Sequence, residues 1–363
     1  MQENDSVLFA THPVQNGKLL GIATLNRPKA LNALNLTMCE LMLAQFRQWQ
    51  TDETIAAVVL RAEGEKAFCA GGDVAEVVKR VKAGGEARYD YGDAFFTVEY
   101  ALDLLIHQFG KPFIALAQGI TMGGGMGLVA GASHRIISTG ARIAMPEIHI
   151  GLFPDVGGGF FLNRLPCRAG WLMALTGQIV NEHDAMLAGL VDAAIPAAQF
   201  APFLNFISQK IGDFRDDENR RIVTNVLRDF EGSVSPDASQ APMWQRMPQI
   251  HAIMHRADVT QVRDALLTAA ESDAWFSGAA KSLANGSPTT AHVAFEYLQR
   301  SLKMSVAEVL EMDLVLAKQF PRHADFLEGV RAVLIDKDKT PRWSPARFED
   351  VSEALLSQHF SAL

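Results

Sequence analysis

The sequence predicts an α/β fold, a core of repeated strand and helix units followed by a helical C-terminal region. Short apolar runs of strand length alternate with helix-like segments up to about residue 200. Beyond that point strand signals disappear and amphipathic helical patterns take over. The 363 residues are 48% hydrophobic and 20% charged, enough to bury a large core. We therefore expect a core over residues 1–200 and a mainly helical region over 201–363 that packs on it.

The first predicted elements lie within the N-terminal quarter of the chain. Residues 6–26 predict two short strands around the turn dipeptide Asn16-Gly17, and residues 27–52 then become helical. The apolar run 55–64 ends at a glycine and is typical of a strand buried on both faces. The next helix begins at Asp73, with Glu76 three residues later as in a capping box, and ends at a pair of glycines.

Alternation of strand and helix continues through the middle of the chain. A helix near 87–109 precedes a strand within 111–119, and a glycine-rich helix near 123–132 precedes strands at 134–139 and 142–145. The C-terminal amphipathic helices are expected at 203–212, 218–230, 260–272, 290–301 and 305–318. This order favours a layered α/β core with helices added after it.

Composition excludes several classes of function. The net charge of −8 gives no basic surface for nucleic acid. Cys39, Cys69 and Cys167 are too scattered for a disulfide framework or a metal site, and they indicate reduced thiols. No apolar segment reaches the roughly 20 residues that span a membrane, and the first residues show no leader pattern. We therefore expect a cytoplasmic protein with no metal, no nucleic acid and no membrane partner.

A glycine-rich stretch, GITMGGGMG at 119–127, allows three interpretations. Gly125, Gly127 and Ala130 satisfy a dinucleotide fingerprint, but the acid that should bind ribose does not end the next strand. The glycines could instead let a helix pack closely on a strand, although each costs about 0.5–1 kcal/mol in a helix. A third interpretation is that they expose backbone N–H groups as an oxyanion hole. The turn KAFCAGGD at 66–73 could supply a second such donor.

Five motifs together resemble the enoyl-CoA hydratase/isomerase (crotonase) superfamily over nearly the whole chain. They are LNRPKALNALN, KAFCAGGD, GITMGGGMG, MPEIHIGLFPDVGGGFFLNRL and HADFLEGVRAVLIDKDKTPRWSP. The last two, with SPTTAHVAFEYLQRS, resemble its 3-hydroxyisobutyryl-CoA hydrolase branch. The resemblance implies a spiral of ββα units capped by C-terminal helices. It also implies an acyl-CoA thioester as substrate, so that coenzyme A is part of the substrate and no separate cofactor is needed. Members often form trimers, which makes a homo-oligomer one expectation, although the extra helices could cover that surface.

By this resemblance, backbone groups and basic side chains would hold the substrate. The oxyanion hole falls on the N–H groups of Ala70 and Gly124, with Gly71, Asp73 and Gly123 beside the substrate. Arg27 and Lys29 would meet the coenzyme A phosphates, although a solvated surface position is an equal alternative for both.

The choice between hydration and hydrolysis depends on Gly127. Hydratases of this superfamily carry a glutamate there and a second one 20 residues later, and the two hold the water that adds to the double bond. Here the second position is Glu147, whereas glycine at 127 has no carboxylate. Asp155 matches the second acid of the hydrolase branch, and Glu99 matches its substrate-contacting glutamate. The resemblance thus implies thioester hydrolysis, with Glu147 as nucleophile or general base.

Other assignments stay open from sequence alone. His149, two residues from Glu147, could be the base, but a structural histidine is the simpler interpretation. Cys69 has no histidine neighbour in sequence that would activate it as a nucleophile. Asp155 could cap a helix rather than act on substrate. The leading expectation is a 3-hydroxyisobutyryl-CoA hydrolase of valine breakdown; the alternatives are an enoyl-CoA hydratase or isomerase and a non-catalytic acyl-CoA-binding protein.

Overall fold

The computed structural model describes residues 3–230 and 233–363. Its strands are β1 Val7–Pro13, β2 Leu19–Leu25, β3 Ile55–Ala62, β4 Ala67–Cys69, β5 Phe113–Ala117, β6 Ile120–Met122, β7 His134–Ser138, β8 Arg142–Ala144 and β9 Ala193–Ile195. Its first helices are α1 Leu36–Thr51, α2 Val74–Ala83, α3 Asp90–His107, α4 Gly124–Ala130, α5 Gly158–Phe161, α6 Ala169–Thr176, α7 Glu182–Leu187, α8 Phe200–Ser208 and α9 Asp216–Asp229. The last helices are α10 Met247–Met254, α11 Val259–Ser272, α12 Ser277–Asn285, α13 Pro288–Arg300, α14 Val306–Gln319, α15 Ala324–Val330 and α16 Glu353–His359.

Two compact units divide these elements. The first comprises the described residues up to Gly72 together with Ala101–Ile143 and Val180–Trp244, and the second comprises Asp73–Tyr100, Ala144–Ile179 and Gln245–Leu363. These units differ from the division at residue 200 that the sequence predicts. The reason is visible at α8 and α9, whose apolar side chains pack on the sheet of the first unit.

A six-stranded sheet forms the centre of the first unit, in the order β1-β2-β3-β5-β7-β9. β1 is antiparallel to β2, and the four remaining pairs are parallel. All five residues of β5 are buried, as are the first six of β3, which explains why these strands are continuous apolar runs. The antiparallel pair turns at Asn16 and Gly17, both with positive φ, as their sequence predicts.

A smaller sheet has the order β4-β6-β8, and its strands follow β3, β5 and β7 in the sequence. β4 and β6 are parallel and have three residues each, too few for a periodic signal in the sequence. α4 follows β6 directly. These short strands matter because they place the two glycine-containing turns considered below.

Helices form most of the second unit. α6 is buried along its whole length, and its Trp171 packs edge-on against Phe295 of α13 with ring centroids 5.2 Å apart. Phe153 packs against Tyr297 of α13 and stacks on Phe320. The C-terminal helices therefore enclose the segment 144–161, which carries the predicted catalytic acids.

Most predicted elements are confirmed within about four residues, but the first helix begins at Leu36 rather than near residue 27, and the predicted capping box is wrong. Asp73 is the N-cap residue of α2, but its side chain makes no capping hydrogen bond. Glu76 instead pairs with Arg80, with Nε and Oε1 2.7 Å apart. An ion pair one turn along the helix thus takes the carboxylate that a capping box would use.

Candidate active site

The turn after β4 supplies backbone groups in the first unit. The Ala70 N–H donates to the Leu31 carbonyl oxygen at 3.1 Å. The expectation that Ala70 contributes an oxyanion donor therefore needs correction, because its N–H is already bonded. Gly72 is two residues further along, and no described residue accepts a hydrogen bond from its N–H. The Gly72 N–H is thus an amide of this turn that can still donate a hydrogen bond to a ligand.

The three consecutive glycines at the start of α4 have different roles. Gly123 is the N-cap residue with φ of 51°, a conformation that favours glycine. A Cβ on Gly125 would lie 2.5 Å from the Cys69 carbonyl oxygen, so Gly125 permits close packing of α4 on β4. Gly124 is the first helical residue, whose N–H has no partner within a helix. Both the packing and the donor interpretations of this motif therefore apply, to different glycines.

The two turns lie against each other within the first unit. A Cβ placed on Gly71 would lie 3.5 Å from the Met122 carbonyl oxygen and 4.0 Å from the Gly124 nitrogen. Gly71 itself has φ of 113°. A Cβ at Gly71 would therefore make only ordinary van der Waals contacts with the second turn, and it is the positive φ that favours glycine here.

The two predicted phosphate ligands have different surroundings. The Arg27 guanidinium donates from Nη1 to the Ala33 carbonyl oxygen at 2.6 Å, so it holds the local chain. Lys29 is exposed and lines an open cleft of about 390 Å³ together with Lys66. Glu63 and Glu65 line the same cleft. Lys29 and Lys66 are thus the cations of this cleft, and Arg27 has a structural contact.

Glu147 begins a short 3-10 helix, Glu147–Ile150, in the second unit. Glu147 is 4% exposed, and no described group makes a hydrogen bond with its Oε2 atom. A buried carboxyl oxygen without a partner is costly, and such groups are typical of functional sites. The backbone is held closely: a Cβ on Gly151 would lie 2.4 Å from the Asp325 carbonyl oxygen. α15 therefore packs directly on the segment that carries Glu147.

Asp155 is also buried and accepts a hydrogen bond from Tyr100. The Tyr100 hydroxyl donates to Asp155 Oδ2 at 2.7 Å. The N-cap residue of the following α5 is Gly157, and no side chain caps this helix. Asp155 therefore does not cap α5, which was the alternative role that the sequence allowed for it.

Burial raises the pKa of both acids. The pKa of Glu147 lies well above its usual 4.5, because burial disfavours the charge and the Asp155 carboxylate adds repulsion. Burial raises the pKa of Asp155 from 3.8 to about 6, and the Tyr100 hydrogen bond opposes that rise. Because burial and mutual repulsion both disfavour a second charge, the pair holds its last proton more tightly than a lone exposed carboxyl does.

The remaining predicted residues are placed as follows. Glu99 is 2% exposed and adjoins Tyr100 on α3, and its charge contributes to raising the pKa of Tyr100. Asp73 is half-buried at the start of α2. His149 is exposed, with Nε2 3.2 Å from Ser282 Oγ. Cys69 is buried, and its Sγ lies 3.5 Å from the Gly71 nitrogen.

Within residues 3–230 and 233–363, no cluster of three or more His, Cys, Asp or Glu side chains could hold a metal ion. Among the same residues, no helix is both long and apolar enough to cross a bilayer.

A sequence model of the enoyl-CoA hydratase/isomerase family matches residues 20–360. The chain belongs to this family. The 3-hydroxyisobutyryl-CoA hydrolase of Xenopus tropicalis is 36% identical over 98% of this chain and 91% of its own length. The human protein of the same name is 34% identical over 94% of this chain and 86% of its own length. A crystal structure of a carnitinyl-CoA dehydratase from Mycobacterium thermoresistibile is 30% identical, with a TM-score of 0.86 over 99% of this chain and 97% of its own.

These similarities confirm the predicted fold class and correct one expectation. Both hydrolases are named as mitochondrial proteins, so the expectation of a cytoplasmic location is wrong. That expectation rested on free cysteines and on the first residues. Reduced thiols indicate a reducing environment without identifying the compartment.

Three polar residues around Asp155 were not predicted from the sequence. Tyr100 donates to it directly, Asp313 of α14 accepts from the Gly157 N–H, and Tyr297 of α13 accepts from the Gly159 N–H. Tyr100 could have been found, because it follows Glu99. The other two lie on helices far along the chain, and no pattern in the sequence connects them with Asp155.

Proposed function

We propose that this member of the family hydrolyses the thioester of a short branched β-hydroxyacyl-CoA, 3-hydroxyisobutyryl-CoA, to the free acid and coenzyme A. The observation that carries the proposal is the buried Glu147 and Asp155 pair in a chain that has glycine at position 127. The hydratases that this chain resembles hold water between two carboxylates, one of them at position 127. Glycine at that position has no carboxylate, so that pair is missing here. The relatives named 3-hydroxyisobutyryl-CoA hydrolase support the same reaction.

Backbone donors would stabilise the charge that develops on the thioester oxygen. We assign this role to the N–H groups of Gly72 and Gly124, since the Ala70 N–H is bonded to Leu31. Loss of one such donor lowers the rate about 10²–10³-fold in other enzymes. Gly71 and Gly123 would leave the space for the carbonyl oxygen.

Glu147 would carry the main chemical step in either of two ways. As a nucleophile, its ionised carboxylate attacks the carbonyl carbon, the C–S bond breaks, and a mixed anhydride forms that water then hydrolyses. As a general base, it takes a proton from the attacking water. Both require the ionised form, so the rate should rise with pH as the pair loses its second proton.

Asp155 would hold either the water or the 3-hydroxyl group of the substrate, with Tyr100 fixing its carboxylate. The departing thiolate needs a proton. As a general base, Glu147 can pass on the proton that it takes from water; in the nucleophilic route the thiolate takes a proton from solvent, and hydrolysis of the anhydride returns it. Glu99 would contribute to the polar end that contacts the acyl group. Lys29 would meet a coenzyme A phosphate, with Lys66 beside it.

The decisive experiment follows free-thiol release from a panel of short hydroxyacyl-CoA esters. The proposal predicts release above background, fastest with 3-hydroxyisobutyryl-CoA. No release from any ester at ample enzyme would overturn it.

A dehydratase structure among the similar proteins favours a second candidate, hydration of an enoyl-CoA by Glu147 alone. Mixing with crotonyl-CoA tests this candidate, because hydration removes the absorbance of the conjugated double bond. We expect no decrease in that absorbance. Tight binding of acyl-CoA without any product would instead favour a non-catalytic binding protein.

A further inference from the structure

The segment that follows Asp155 has an unusual backbone. Val156 has φ of 53° and is 1% exposed, and Gly157 after it has φ of 78°. A β-branched residue with positive φ is rare, because its Cβ crowds the backbone. Such strain persists only where surrounding contacts hold it, and it concentrates at functional sites.

Two buried polar side chains hold this segment. The Gly157 N–H donates to Asp313 Oδ2 at 2.7 Å, and the Gly159 N–H donates to the Tyr297 hydroxyl at 2.7 Å. Asp313 and Tyr297 are both completely buried, and they come from different helices, α14 and α13. A buried acid is costly unless it is paired or hydrogen-bonded, and here the Gly157 N–H supplies a hydrogen bond.

The fit around the glycines leaves little freedom. A Cβ on Gly159 would lie 2.8 Å from Tyr297 Cζ and 2.5 Å from Ser301 Oγ. The Asp155 carbonyl oxygen accepts from the Gly158 N–H at 2.8 Å, which closes the turn from the other side. The direction of the Asp155 side chain is therefore set by a turn whose two amides are bound to the C-terminal helices.

We propose that Asp313 and Tyr297 are positioning residues for Asp155, which act by clamping the strained turn Asp155–Gly159. The clamp keeps Val156 in its left-handed conformation and so keeps the Asp155 carboxylate where Tyr100 meets it. The inference rests on the proposed function for its effect on turnover, whereas the clamp itself is a property of the turn.

Charge supports the same arrangement. The pKa of Asp313 is raised well above 3.8, chiefly by burial, with repulsion from Asp155 adding to it. The charge of Asp155 thus disfavours ionisation of Asp313. A neutral Asp313 can accept from Gly157 without placing a second negative charge beside Asp155.

Three variants separate positioning from a general loss of stability. Asp313→Leu removes the acceptor, whereas Asp313→Asn keeps an oxygen that can accept from Gly157. With 3-hydroxyisobutyryl-CoA, we expect Asp313→Leu to lower kcat about ten-fold with KM changed less than about three-fold. We expect Asp313→Asn to keep kcat within about three-fold. Glu311→Leu, an exposed position on the same helix, is the matched control and should leave kcat unchanged.

Adding Val156→Gly to Asp313→Leu should restore part of the lost kcat, because glycine adopts positive φ without strain. Equal loss in the Asn and Leu variants, an unchanged kcat in the Leu variant, or no restoration by Val156→Gly would each overturn the proposal.

A measurement without turnover distinguishes this proposal from the proposed function. In protein labelled with [15N]glycine, the Gly157 amide proton should move upfield in Asp313→Leu and stay in place in Asp313→Asn and Glu311→Leu. An unmoved Gly157 amide in Asp313→Leu would overturn the clamp, even if every ester is hydrolysed. A shifted amide with no thiol release from wild-type protein would overturn only the proposed function.

Discussion

The Tyr100 hydroxyl donates a 2.7 Å hydrogen bond to Asp155 Oδ2, and both groups are buried. This bond opposes the burial that raises the pKa of Asp155 to about 6. It therefore favours the ionised form of an acid in an apolar setting. Glu99, the neighbour of Tyr100, adds a further acid to the same part of the second unit.

Tyr100→Phe tests this hydrogen bond. Without it the pKa of Asp155 should rise, so the acidic limb of the pH profile of kcat/KM should move to higher pH. A hydrogen bond to a charged group contributes about 1.5–3 kcal/mol, so kcat/KM at neutral pH should fall about ten-fold or more. Tyr89→Phe, which keeps its ring beside Arg322, is the control. An acidic limb that stays in place in Tyr100→Phe would show that Asp155 does not depend on this bond.

Glu147→Gln should raise stability while it removes activity. Because the folded-state pKa of Glu147 is raised, the folded protein binds its proton more tightly than the unfolded chain does. Stability therefore falls as pH rises from about 4.5 through the folded-state pKa, and glutamine is free of that loss. The free energy of unfolding of Glu147→Gln should exceed that of wild type by an amount that grows across this pH range and vanishes below it. Denaturant titrations at several pH values measure this, and an excess that does not vary with pH would contradict the assignment.

Gly125→Ala should destabilise the first unit. The new Cβ would lie 2.5 Å from the Cys69 carbonyl oxygen, a backbone atom that cannot move aside cheaply. Overpacking of this kind costs about 1–3 kcal/mol. Gly278→Ala in α12 is the control, since its Cβ would meet nothing within 4 Å. This substitution should instead raise the free energy of unfolding by about 0.4–1 kcal/mol. Equal unfolding free energies for the two variants would show that α4 does not need a glycine there.

Lys29→Ala and Lys66→Ala should weaken binding of the substrate without slowing the chemical step. Each should raise KM for the CoA ester about three-fold with kcat unchanged, since these are exposed charges. The effect should shrink with added salt, which screens such charges. Lys281→Ala, exposed on α12, should leave KM as it is. A salt-independent KM in wild-type protein would place the phosphates elsewhere.

The apolar runs predicted the buried parallel strands β3 and β5 because burial on both faces leaves a continuous signal. The strands β4 and β6 were beyond such reasoning, since three residues carry no period. Motif resemblance pointed to Glu147 and Asp155, and both are buried acids. It could not show that the Ala70 N–H is bonded to Leu31, because the direction of a backbone amide depends on turn geometry.

Contacts between distant parts of the chain explain the residues that were missed. Asp313 belongs to a helix with an ordinary amphipathic pattern, and only the folded chain brings it to Gly157. Tyr297 is likewise one aromatic residue among several buried ones on α13. Their significance depends on a strained turn whose dihedral angles no sequence pattern specifies.

Thiol release by Glu147→Gln is the most direct test of the assignment that Glu147 cleaves the thioester. Wild-type protein and Glu147→Gln would be compared on 3-hydroxyisobutyryl-CoA, with binding of the ester measured in parallel. We expect Glu147→Gln to release thiol about 10²–10⁴-fold more slowly than wild type, with binding of the ester largely retained. Thiol release by Glu147→Gln at the wild-type rate would contradict it.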